Sequence, residues 1–330
     1  MTATIFTLGT SIMLLLSLLA AALGLLVVEK AFRVSRRWDR ADEEERYELE
    51  KEFYVAYAVV CIVLAIRIFS VPLYFWVMQT LAPTIPGAMC LWGIFNALPE
   101  LCWSTLTLKF GLPVLYFGWL ILARINNSCK RNPLMKNLMS LYVLLSPLLM
   151  IDSLVDLTVF SRLNPMQVVC CTSAIDVWQR PVPSLIAGIS GQLVLLLIFL
   201  ALCLVYASFS FASQSSSAFE WPSRIASLAL LPVSILATTE VLTPWILKLP
   251  LHHCPFCLLY RKPASILFLV TLWFSTAVPW WILMTKKMGR EDEEANKAEF
   301  KLRGALWKSS GTALVIGLTT ILTLMLISLA

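Results

Sequence analysis

The chain has 330 residues, 59% of them hydrophobic and only 14% charged, with a mean hydropathy of +0.79. Soluble domains carry about a quarter charged residues, so this composition excludes a water-soluble enzyme and predicts an all-α, polytopic integral membrane helix bundle in a lipid bilayer. The net charge of +6 is then the basic bias of inner membrane loops, and no nucleic-acid partner is expected.

Apolar runs of spanning length recur along the chain and predict about eight transmembrane helices in one membrane domain covering 1–330. The first, 4–28, has no basic residue before it and a basic cluster after it. That charge order is the reverse of a secretory signal, and it predicts a helix whose N-terminus lies outside. Residues 29–52 mix Arg33, Arg36, Arg37, Arg40, Arg46 and Lys51 with carboxylates, opposite charges falling four apart at Arg40/Glu44 and Arg46/Glu50. Such spacing suits a solvated inner helix. The second span, 53–77, holds Arg67 near its middle, where an ionised group needs a partner or water rather than lipid.

Pro83, Pro86, Gly87 and Pro99 break the segment 79–109, which is read as an outer loop carrying Cys90 and Cys102. A short third span, 110–125, leads to an inner loop with Lys130, Arg131 and Lys136. The fourth span, 138–160, carries Asp152 and Asp156 one turn apart and therefore on one face. The outer loop 161–183 follows, with Cys170 and Cys171, and then a fifth span at 184–209.

The sixth span, 224–247, includes Glu240, and the outer loop 248–262 contains His252-His253-Cys254-Pro255-Phe256-Cys257, which holds both histidines of the chain. Pro263 suits the first turn of a seventh helix that ends near Thr285. A charged inner segment, 286–303, precedes the eighth span, 311–329, which returns the C-terminus outside. On this topology 19 of the 26 basic residues lie inside, as the positive-inside rule requires.

Six of the nine cysteines then fall on outer loops in three pairs: Cys90/Cys102, Cys170/Cys171 and Cys254/Cys257. A Cys-x-x-Cys near cations favours the thiolate, the nucleophile of disulfide exchange, and Arg261, Lys262 and the histidines supply such charge. Cys254 is the expected attacking thiol. Asp152, Asp156, Glu240 and Arg67 are candidates for a proton relay or for structural ion pairs.

The dipeptide Pro255-Phe256 between the sulfurs resembles those of thioredoxin-like redox centres, a likeness of four residues. The arrangement of outer pairs also resembles that of the disulfide-bond-forming membrane proteins and the vitamin K epoxide reductases, whose four- or five-helix cores place a Cys-x-x-Cys beside a second, loop-borne pair. The resemblance implies electron relay between an extracytoplasmic thiol protein and a membrane quinone, with Cys254 and Cys257 as the membrane-proximal pair and Cys90 and Cys102 as the shuttle. The expected location is a bacterial inner (cytoplasmic) membrane, with the cysteine loops on the extracytoplasmic side.

Two other readings stand beside it. His252, His253, Cys254 and Cys257 offer four ligands within six residues, a set suited to Zn or Cu(I) and so to metal binding or transport. Alternatively, disulfides tie the outer loops of a structural subunit of a membrane complex. The sequence carries no phosphate-binding Gly-x-x-x-x-Gly-Lys, no Cys-x-x-Cys-His and no His-Glu-x-x-His.

Overall fold

The computed structural model describes residues 7–85, 88, 91–163, 189–249, 253–289 and 292–329. Among them there is no strand, and eight helices are long and apolar enough to cross a membrane. The protein is an all-α multi-pass bundle. It forms two compact units, the first made of Met1–Val169 with Met284–Glu299 and the second of Cys170–Leu283 with Phe300–Ala330.

In the first unit α1 (Leu8–Arg37) starts at Thr7, whose hydroxyl accepts the Thr10 N–H at 3.2 Å, and ends on Arg36 and Arg37, cations that complement the helix C-terminus. A turn at 38–41 leads to Asp42, which caps α2 (Glu43–Leu81) by accepting the Glu45 N–H at 2.9 Å. The charged segment 29–52 is therefore two helix ends and a turn, not one helix. Its ion pairs follow that shape, Arg33 bonding Glu29 at 3.0 Å on its own helix and Glu52 at 2.8 Å on α2.

After the short α3 (Leu91–Ala97), Pro99 sits in the first turn of α4 (Pro99–Asn126), where its missing N–H is not needed. The third span thus begins at Pro99 rather than at 110. Lys109, expected at the end of an outer loop, lies inside α4 and is fully buried. With α5 (Met135–Arg162), the helices close a ring in the order α1, α2, α4, α5, each touching two neighbours. Gly24 lets α1 and α5 approach closely, since a Cβ there would stand 2.8 Å from Leu149 Cδ1, and Tyr142 donates to the Gly24 carbonyl at 3.0 Å.

The second unit contains α6 (Ile189–Ala212), α7 (Glu220–Ala237), α8 (Thr243–Leu247), α9 (Pro255–Arg261) and most of α10 (Ser265–Gly289) and α11 (Glu293–Leu329). Phe199, Leu230, Val241, Phe268, Leu314 and Ile321 form its apolar core. Tyr206 of α6 donates to the Ser275 carbonyl and meets Ser310 Oγ at 2.6 Å, joining α6, α10 and α11 through one hydroxyl. Between α7 and α8 the chain widens into a π-helical turn, Thr238–Leu242.

Pro244 explains that turn. It has no N–H to give the Glu240 carbonyl four residues earlier, and the side chain of Gln192 on α6 donates to that carbonyl instead, at 3.1 Å. The Thr243 N–H and hydroxyl both turn to the Thr238 carbonyl, the hydroxyl at 2.7 Å. Trp245 Nε1 donates to Gln192 Oε1 at 2.8 Å and holds the amide in this orientation.

Candidate functional site

In the second unit the widened turn presents Glu240 to His253. Glu240 Oε2 lies 3.3 Å from His253 Nδ1, and the Thr239 carbonyl lies 3.2 Å from the same nitrogen. Both neighbours are acceptors, so Nδ1 carries a proton. His253 is only 6% exposed, and its Nε2 is buried without a hydrogen-bond partner. The carboxylate and the carbonyl together fix the ring through Nδ1, and Nε2 is the nitrogen left on its far side.

Cys254 follows directly and is the N-cap residue of α9, 1% exposed. Pro255 occupies the first helical position, and the Cys257 N–H bonds the Cys254 carbonyl at 3.1 Å. The two sulfurs therefore leave the backbone one turn apart, within the reach of a disulfide. Cys257 is the more exposed of the pair. Attack in disulfide exchange needs an open approach to sulfur, which burial restricts at Cys254 more than at Cys257.

The first unit assembles a different site. Asp152 and Asp156 of α5 face Lys109 of α4, whose Nζ stands 3.0 and 2.8 Å from the two oxygens of Asp152 and 2.5 Å from Asp156 Oδ2. Arg67 of α2 bonds Asp152 through Nη1. Ser17 of α1 donates to Asp156 Oδ2 at 2.6 Å, and Ser153 donates to the Ser17 carbonyl at 2.8 Å. All four charged side chains are fully buried, two positive and two negative.

The structure thus joins Arg67 with Asp152 and Asp156, and Glu240 with His253 beside Cys254. Lys109 and Ser17 are the members that sequence reasoning missed. A signal for Lys109 existed: two aspartates on one buried face need two cations, and Arg67 is only one. Ser17 had none, since its neighbours are apolar and serine is common in membrane helices.

Cys102 lies in the first turns of α4, buried, its thiol free and 3.9 Å from the Ile94 carbonyl. Cys90, Cys170, Cys171 and His252 lie outside the described residues. Among the described residues no group of three or more His, Cys, Asp or Glu is placed to hold a metal ion.

The chain matches no known family, no curated protein and no solved structure at a significant level.

Proposed function

We propose that Cys254 and Cys257 form the redox centre of a membrane thiol-disulfide protein that relays electrons between an extracytoplasmic dithiol protein and a quinone-class carrier in the bilayer. The observation that carries this reading is the pairing of one buried and one accessible thiol on a single turn, next to an imidazole fixed by Glu240. In the oxidising direction, a partner thiolate attacks Cys257 Sγ of the disulfide, and Cys254 leaves as thiolate and takes up a proton. The partner's second thiolate then displaces Cys257 from the mixed disulfide. The resulting dithiol gives two electrons and two protons to the quinone, which leaves as quinol, and the Cys254–Cys257 bond forms again.

The role given to His253 is to receive and return the proton exchanged at Cys254, with Glu240 fixing its tautomer. The basic asymmetry of the loops supports an extracytoplasmic position for this centre, and the membrane proposed for it is a bacterial inner membrane. Differential alkylation of intact cells with a membrane-impermeant reagent, before and after reduction and read by peptide mass spectrometry, tests the reading. A Cys254–Cys257 disulfide whose occupancy shifts when the quinone pool is reduced is the expected result. Two thiols that stay reduced and copurify with Zn or Cu(I) would replace it with metal binding, and a permanently oxidised, unresponsive pair would leave a structural staple. Cys90, Cys102, Cys170 and Cys171 report in the same spectra.

A further inference from the structure

The charged cluster of the first unit is not closed on itself. Arg67 gives Nη1 to Asp152, while its Nε and Nη2 are buried and have no hydrogen-bond partner. Those two groups form the parallel edge of the guanidinium, the edge that receives a carboxylate bidentately. On the acceptor side of the cluster, Asp156 Oδ1 stands unpartnered. Donors outnumber acceptors, so the cluster lacks an oxygen-bearing acceptor at Arg67.

Charge restricts what that acceptor is. The two cations and two carboxylates already sum to zero, and an extra anion in a medium of low dielectric would leave an uncompensated charge. It would enter with a proton. Asp156 faces Ser17 of α1, Tyr74 of α2, Lys109 of α4 and Asp152 of its own helix, with Arg67 reaching it only through Asp152. Its vacant Oδ1 is the oxygen with room in its bonding for that proton.

We infer that this cluster binds a small carboxylic acid, taken up as a carboxylate on the Nε–Nη2 edge of Arg67 and as a proton on Asp156. The acid's O–H bond breaks, its electron pair stays on the carboxylate, and the proton forms an O–H bond at Asp156 Oδ1, so the site remains neutral. Nothing in this step depends on the thiols of the second unit.

The test uses the full-length chain in lipid nanodiscs, titrated calorimetrically with acetate and with benzoate near neutral pH in two buffers of different ionisation heat. The expected result is one site that takes up about one proton per carboxylate, so that the apparent Kd rises about tenfold per pH unit. Arg67→Lys keeps the charge but loses the fork and should weaken binding by about tenfold or more. Asp156→Asn should bind without proton uptake. If these variants do not fold, the unmodified protein still decides, because acetamide, the neutral isostere of acetate, should not bind. Absence of binding by either acid, binding without proton uptake, equal affinity for acetamide, or an unchanged Arg67→Lys would each overturn the inference and leave a cluster that holds water only.

Discussion

The two units bury polar groups by opposite means. In the first, four charges are gathered from α2, α4 and α5 onto unbroken helices, and Lys109 is shared between two carboxylates. In the second, the helix itself yields: the π turn at Thr238–Leu242 opens the backbone, and one carboxylate meets one imidazole that precedes the Cys-x-x-Cys in the chain. Charges balanced by charges hold a geometry. In the second unit an imidazole nitrogen without a partner lies one residue from the first thiol of a Cys-x-x-Cys, and that is why the redox proposal is placed there and not on the first unit, which has no such thiol pair among the described residues.

The largest effect expected from this contrast is all-or-none. Cys257→Ser should abolish mixed disulfides with a thiol partner, whereas Cys254→Ser should let them accumulate, because the resolving thiol is gone. Non-reducing electrophoresis after acid trapping reads both, and accumulation in Cys257→Ser instead would exchange the two roles. Next in size is Lys109→Met, which leaves two buried aspartates with one cation. A loss of about 3–5 kcal/mol is expected in denaturant unfolding, and a loss under 1 kcal/mol would mean that the cluster is hydrated and poorly coupled.

A smaller effect is expected from Gln192→Leu, which strips the Glu240 carbonyl and Trp245 Nε1 of their partner. The cost should be about 1–3 kcal/mol, with faster hydrogen exchange confined to the turn at 238–242 if the amide acts where the structure places it. The smallest concerns Cys129, in the connection between α4 and α5, whose thiol is pushed above its ordinary value by burial and then by the charges of Asp292 and Glu294. A raised value means less thiolate at neutral pH, so alkylation should be slower than for a free cysteine and should climb as the pH rises. Replacing both acids by their amides should speed it by about twofold or more at neutral pH.

The spans were legible because membrane thickness imposes a length on apolar runs. What that signal measures is the bilayer crossing, not the helix, so α2 and α11 begin well before their apolar stretches, at Glu43 and Glu293. Lys109 was lost for a related reason: the cluster of Pro83, Pro86, Gly87 and Pro99 marks a loop, and Pro99 serves equally as the last residue of a break or the first turn of a helix. The aspartates declared themselves by spacing alone, being one turn apart. Glu240 and His253 did not, since their meeting depends on a non-α turn that hydropathy does not register, and only Pro244, two residues beyond the turn, hints at it.

A π turn is an α-helix carrying one residue too many. Each residue advances an α-helix by about 100°, so the extra one sets the direction in which Trp245 and everything after it emerges relative to α7. A chain with a single residue deleted from 238–242 would keep its hydropathy, its composition and every side chain of the Cys-x-x-Cys. It would nonetheless rotate the helix end by roughly a quarter turn and separate the carboxylate from its imidazole. Comparisons among related chains should therefore look for a one-residue gap at this point before they look at the cysteines.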